Sequence, residues 1–227
     1  MPFPALAARV AEVRQRIDAS RARGGHGQPV EIVAVTKTYG PEAATAAWDA
    51  GIRRVGENRV QEALEKIDAV NVPVEWHLIG HLQRNKVRAL ERFALLHSLD
   101  SARLADAVHA TGQRLEKGID VLVQVNASGE GSKGGFAVAE VEAEAQRLRP
   151  MRGLVVRGVM TMAPLDADER TLRETFAGAR EARRMLADAG HPAVELSMGM
   201  SNDFEIAVEE GATMVRLGTI LFGARSA

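Results

Sequence analysis

From residue 30 onward, short apolar runs alternate with longer amphipathic segments, and this alternation constrains the fold more than any other feature. The candidate strands are 30–36, 52–55, 74–79, 94–99, 120–126, 154–160, 193–198 and 213–218. The candidate helices between them are 41–50, 58–68, 83–91, 101–117, 137–148, 166–189 and 202–210. Strands separated by helices imply a parallel sheet, because parallel neighbours need a crossover connection. Eight such units in about 200 residues favour a closed (β/α)8 barrel, a TIM barrel, over an open doubly wound sheet. Ahead of the first strand, Leu6, Val10, Val13 and Ile17 recur at helical spacing, which predicts an extra N-terminal helix over about 4–23; Gly24, Gly25 and Gly27 end it. No linker or low-complexity tract interrupts the pattern, so the expectation is one α/β domain over residues 1–227.

Composition excludes several function classes. A net charge of −1 gives no electrostatic reason to expect nucleic acid, an acidic substrate or a membrane surface as partner. No apolar stretch approaches the roughly 20 residues of a membrane span, and no signal peptide is visible. The chain has no cysteine, which excludes disulfides, thiol nucleophiles and zinc–thiolate sites and fits a cytoplasmic location. No cluster has metal-ligand spacing.

In a barrel of this kind, function sits where strands end. Lys37 follows the first strand directly, and alternation puts Val33, Val35 and Lys37 on one face. The other four lysines, Lys66, Lys86, Lys117 and Lys133, lie in polar or helical contexts. At the far end of the chain, Glu195-Leu-Ser-Met-Gly-Met-Ser201 and Val215-Arg-Leu-Gly-Thr219 are two apolar strands that end in hydroxyl residues and glycine. Ser197, Ser201 and Thr219 can donate hydroxyls, and Gly218 lets backbone N–H groups approach an anion. A helix starting near Ser201 would add its positive end. The loops after strands seven and eight are the usual phosphate site of a TIM barrel. A phosphate cup together with a strand-end lysine suggests pyridoxal 5'-phosphate held as a Schiff base. The bland alternative for Lys37 is a solvated amine.

Arg216 lies inside an apolar strand, where an unpaired charge is costly. It is either ion-paired, for example with Glu209 or Glu210, or set against the pyridine nitrogen of the cofactor. In the second case it would keep that nitrogen unprotonated, because arginine holds its own proton. Asn58 ends the second strand and reads equally as a helix start or a ligand. His77 has an ambiguous register and can point into the barrel or out of it. The loop from Ser128 to Gly135 carries Lys133 among glycines and reads as a flexible connection, with the alternative that it presents an amine and backbone donors to a second anion.

Taken in order, Ala34-Val-Thr-Lys-Thr38, Gly56-Glu-Asn58 with Gln61-Glu62, Trp76-His-Leu-Ile-Gly80, Ser132-Lys-Gly134, Leu196-Ser-Met-Gly-Met-Ser201 and Val215-Arg-Leu-Gly-Thr219 resemble the pyridoxal-phosphate homeostasis protein family, also called the proline synthase co-transcribed homologue family. The resemblance implies the barrel of the alanine racemase N-terminal domain, pyridoxal-phosphate fold type III, without the racemases' C-terminal β-domain. It implies a Schiff base on Lys37, Arg216 at the pyridine nitrogen, and Ser197, Ser201, Gly218 and Thr219 at the phosphate, with Asn58 and His77 beside the cofactor. Arg59 and His81 depart from the family pattern. The implied role is vitamin B6 homeostasis as a carrier or regulator without turnover, with pyridoxal-phosphate-dependent apo-enzymes as candidate recipients and a monomer or weak homodimer as the expected state. The competing readings are an amino-acid racemase and a phosphosugar-type barrel enzyme that uses Lys37 without a cofactor.

Overall fold

The computed structural model describes residues 3–130 and 134–223. Lys133 and its neighbour Ser132, singled out in the sequence, lie outside the described residues. The barrel strands are β1 (Glu31–Val35), β2 (Arg54–Glu57), β3 (Glu75–Leu78), β4 (Leu95–Leu99), β5 (Ile119–Asn126), β7 (Leu154–Met160), β8 (Glu195–Ser197) and β9 (Met214–Leu217). They lie in the order β4-β3-β2-β1-β9-β8-β7-β5, and a further β4–β5 pairing closes the ring. Every pairing is parallel. The closed barrel is therefore the observed architecture, and the open sheet is excluded. A two-residue strand absent from the sequence reading, β6 (Phe136–Ala137), pairs with the end of β5.

Alternation along each strand separates two cores. Val33, Leu95, Leu122, Met160 and Met214 pack together inside the barrel. Their chain neighbours, among them Ala34, Leu96, Val123, Val159 and Val215, join the larger core between barrel and helices. Two pairings carry a local irregularity. The β4–β5 register shifts between Leu96 and Leu99. The β5–β7 register shifts between Val121 and Leu122, and Gly158 beside it takes φ 155°. A Cβ at Gly158 would collide with the carbonyl oxygen of Glu195, so only glycine lets β7 and β8 approach here.

The outer helices are α2 (Glu42–Asp49), α3 (Val60–Ala69), α4 (Ala102–Arg114), α5 (Val141–Leu148), α6 (Glu169–Asp188), α7 (Phe204–Glu209) and α8 (Thr219–Phe222). Residues 83–91, expected as an α-helix, instead form a 3₁₀ segment, Arg84–Arg92. Its three-residue period puts Val87 and Leu90 on one buried face, leaving the charged residues outward. The last two helices are short, and the N-terminal helix α1 (Leu6–Gly24) makes up the missing cover. It packs on α2, α7 and α8. Leu6, Val10, Val13 and Ile17 are buried there, each worth about 1.5–3 kcal/mol. Arg16–Glu205 (2.7 Å) and Arg23–Glu209 (2.6 Å) tie α1 to α7, and Arg9 Nη1 donates to the Leu221 carbonyl. Among the described residues, no helix is long and apolar enough to cross a membrane.

Candidate cofactor site

The expected site residues gather around one arc of the barrel, because β3, β2, β1, β9 and β8 are consecutive neighbours. Lys37 follows β1 and is half-buried. Val33 of the same strand faces the barrel interior and is in register with Arg216 of β9. Asn58 follows β2, with its backbone against Gly80 at the end of β3.

Arg216 is 5% exposed, and its neighbours Val215 and Leu217 face the outer core, so its side chain enters the barrel. Neither expected acidic partner meets it: Glu209 pairs with Arg23 and Arg173, and Glu210 with Arg173 and Arg180. Its guanidinium donates instead to the Ser197 carbonyl (2.8 Å), the Ser197 hydroxyl (2.8 Å) and the Thr161 carbonyl (2.9 Å). Burial pulls its pKa down to about 10, against the opposing charge of Asp203, so it stays protonated at neutral pH.

From Arg216 a chain of hydrogen bonds crosses the barrel floor. Ser197 Oγ lies 2.9 Å from His97 Nδ1, and His97 Nε2 lies 2.9 Å from His77 Nδ1. One set of protons satisfies each link. Arg216 donates to Ser197 Oγ, the Ser197 hydroxyl to His97 Nδ1, and His97 Nε2–H to His77 Nδ1. This settles the register of His77, which points inward while Trp76 and Leu78 face the helices. Burial, reinforced by Arg54, holds the His77 imidazole down at about 3. Burial first, then His77, Arg216 and Arg54, hold His97 well below its ordinary value. Both rings are neutral in the fold and take up protons on unfolding. Their folded values are depressed, so stability is complete above the ordinary imidazole value of about 6.5 and is lost as pH falls below it. Urea unfolding between pH 7 and 5 should show this as an uptake approaching two protons, with about one lost in His77→Gln. A flat profile across that range would mean that the imidazoles are not buried as neutral rings.

Ser197 is 0% exposed, and its hydroxyl is held by Arg216 and His97, so the structure places it under the site rather than at its rim. Ser201, Gly218 and Thr219 lie at the rim. Ser201 Oγ accepts from the Ile220 N–H at 3.3 Å, which joins the two loops. The expected helix start near Ser201 is three residues late: α7 begins at Phe204, because Asp203 Oδ1 closes a turn by accepting the Met200 N–H (2.5 Å). The helix that opens at the rim is α8, a single turn beginning at Thr219 after Gly218. Gly199 takes φ 93° where the chain leaves β8, and a Cβ there would lie 2.6 Å from that of Ala207, so this turn requires glycine.

A second polar group lies outside the barrel wall. The helical context of Lys66 in α3 predicts an ordinary solvated lysine, yet it is 5% exposed. Its ammonium donates to the Thr36 carbonyl (2.9 Å), Glu57 Oε1 (2.8 Å) and Glu62 Oε1 (2.7 Å). Burial raises the Glu57 carboxyl above the ordinary range, against the bonds from Lys66 and Thr36. Burial also acts on Glu62, but the bonds from Lys66 and the Thr38 N–H win and hold it below. The legible signal was spacing: Glu62 and Lys66 are four apart on one helix face.

This set of groups suits pyridoxal phosphate. It offers one amine at a strand end, one cation inside the barrel with its carbonyl partners fixed, and a rim of hydroxyl and glycine for an anion. The alanine racemase N-terminal domain family matches residues 8–226. The pyridoxal phosphate homeostasis protein of Aquifex aeolicus is 39% identical over 221 residues, 96% of this chain and 97% of that one. The chain belongs to the pyridoxal phosphate homeostasis protein family. The member from Escherichia coli K12 is 37% identical over 231 residues, 97% of each chain. Among solved structures, PipY of Synechococcus elongatus with pyridoxal phosphate bound superposes with a TM-score of 0.83 at 35% identity, covering 96% of this chain and all of that one. Alanine racemase from Corynebacterium glutamicum superposes at 0.74 with 18% identity, over 62% of its own length, and shares the fold.

Proposed function

We propose that this chain binds pyridoxal 5'-phosphate through a Schiff base on Lys37 and serves vitamin B6 homeostasis as a carrier or regulator, without turnover. When bound, the cofactor supplies an aldehyde for the lysine and an electron-withdrawing ring. The observation that carries the reading is Arg216, a buried guanidinium on the strand paired with that of Lys37, oriented by Ser197 and Thr161. Donation from Arg216 to the ring nitrogen keeps a proton off it and weakens the ring as an electron sink. Ser201, Gly218 and Thr219 take the phosphate, and Asn58 lies beside the ring. Ser197 orients Arg216 instead of touching the phosphate, and His77 supports Ser197 through His97.

The rival reading, a racemase, needs a second acid/base. The chain's single tyrosine, Tyr39, is a poor candidate. Its hydroxyl donates to the Gly223 carbonyl, and its ring forms a three-ring cluster with Phe3 and Phe222. The chain's nearly complete overlap with proteins named for homeostasis supports the same choice.

The phosphate cup gives the direct test. A hydrogen bond to a charged group is worth about 1.5–3 kcal/mol. Ser201→Ala and Thr219→Ala should therefore each weaken cofactor binding by about tenfold or more, measured by titration of the bound absorbance. Pyridoxal without phosphate should bind far less tightly than the phosphate ester. Equal affinity for the two forms would remove the cup from the proposal.

A further inference from the structure

The geometry points to Lys66, Glu62 and Glu57 as positioning residues that aim Lys37 from outside the barrel wall, through the backbone of Thr36 and Thr38. The inference rests on the assignment of the Schiff base to Lys37.

Three observations carry it. First, the bonds of this group converge on the two peptide units that flank Lys37. Lys66 Nζ donates to the Thr36 carbonyl at 2.9 Å, and Glu62 Oε1 accepts the Thr38 N–H at 2.7 Å. The Thr36 hydroxyl meets Glu57 Oε1 at 2.5 Å. Lys66 binds both carboxylates, so one ammonium links the anchors on either side of Lys37. Second, Thr38 takes φ 70°, a left-handed conformation that a non-glycine residue keeps only when its surroundings hold it. The Glu62 carboxylate is the acceptor on its N–H. Third, stability is a weak reason for this arrangement. The side chains of Glu57 and Lys66 are 0% and 6% exposed, and a buried ion pair of this kind often does no better than an apolar replacement.

The group lies on the far side of the wall from the cofactor site. Val55 faces the outer core, so Gly56 turns inward and Glu57 outward again; likewise Ala34 and Thr36 face outward, whereas Val33 faces the interior. None of the three side chains therefore takes part in the condensation. In that step the neutral Lys37 amine would add to the aldehyde carbon, its two hydrogens would pass to the aldehyde oxygen, and that oxygen would leave as water as the carbon–nitrogen double bond forms. The group holds the amine where the addition occurs. A displacement of about 1 Å at such a centre can cost about a hundredfold.

The test compares two ligands that share ring and phosphate. Pyridoxal phosphate can condense with Lys37; pyridoxamine phosphate, with an amine in place of the aldehyde, cannot. Glu62→Ala removes the Thr38 acceptor at a half-buried helical position that alanine suits. Its affinity for pyridoxal phosphate should fall about tenfold, with pyridoxamine phosphate within about twofold of wild type. Glu62→Gln keeps an oxygen acceptor and should recover most of the loss. In the cofactor-free protein, exchange of the Thr38 amide hydrogen should accelerate in Glu62→Ala and stay slow in Glu62→Gln. Lys66→Met should reproduce the ligand-selective loss if it folds, and the Glu62 pair decides the question if it does not. Equal losses for both ligands in Glu62→Ala, or unchanged affinity for the aldehyde, would overturn the inference and leave the assignment of Lys37 intact. Failure of the wild type to condense with the aldehyde would overturn both.

Discussion

Replacing Lys37 with alanine should abolish the proposed covalent link to the cofactor and lower affinity for pyridoxal phosphate by about a hundredfold, leaving phosphate-driven binding behind. The expectation follows from where the other described lysines lie. Lys66 is buried and held by three oxygens on the outer side of the wall. Lys117 reaches the Glu91 carbonyl, and Lys86 is exposed on the 3₁₀ segment. In the wild type, borohydride should fix the cofactor on the peptide that contains Lys37, and the protein should absorb in the region of a protonated Schiff base. In Lys37→Ala the borohydride adduct should vanish, while pyridoxamine phosphate binds nearly as before. An adduct that maps mainly to another lysine of the wild type would remove Lys37 from its role.

Arg216→Gln has the second large effect, and it acts on both stability and chemistry. Arg216 donates to the Thr161 carbonyl and shares the Ser197 carbonyl with the Thr161 N–H, and a glutamine amide cannot reproduce all three of its bonds. Each buried polar group left without a partner costs about 1–3 kcal/mol. For a chain of this size, 1 kcal/mol corresponds to roughly 2–4 °C, so Tm should fall by about 2–12 °C. Glutamine is preferable here to glutamate, whose carboxylate would face the same carbonyls. The chemical effect appears in the bound cofactor. If Arg216 meets the ring nitrogen as proposed, its loss lets that nitrogen take up a proton, and the absorbance of bound cofactor should acquire a pH dependence not seen in the wild type. Turnover is measured in parallel, as deuterium exchange at the α-carbon and racemisation across a panel of amino acids. Racemisation by the wild type at an ordinary enzymatic rate, on the order of 1 s⁻¹ or faster, would replace the carrier with an enzyme.

Much of this site is legible before folding is considered. Lys37 stands out because an apolar strand runs straight into it, and Arg216 because a charge inside an apolar strand demands an explanation. The glycines and hydroxyls after β8 and β9 mark the rim for the same local reason. His97 escaped notice, although it lies within the fourth candidate strand, two residues after the inward-facing Leu95. Its register was the missing fact, since a single step along a strand turns a side chain from interior to exterior. Lys66 escaped because a lysine on an amphipathic helix is ordinarily solvated. Helix starts were displaced where a side chain captured a backbone amide, as Asp203 does at Met200.

The class of fold is written locally. Strand period, helix period and the glycines between them depend on residues a few positions apart, and their repetition over eight units is enough to call for a parallel barrel. The place of Lys37 at a strand end is legible for the same reason. What the chain does with its buried polar groups is not local. His97 meets Ser197 across 100 residues, and Arg216 meets Thr161 across 55. The first pair exists because the β4–β5 contact closes the ring and sets β4 across the interior from β8, the second because β7 and β9 flank β8, and the burial of Lys66 depends on how α3 is laid against β1 and β2. Closure and register are properties of the whole barrel, since each strand's inward face is set by its neighbours around the ring rather than by its own sequence.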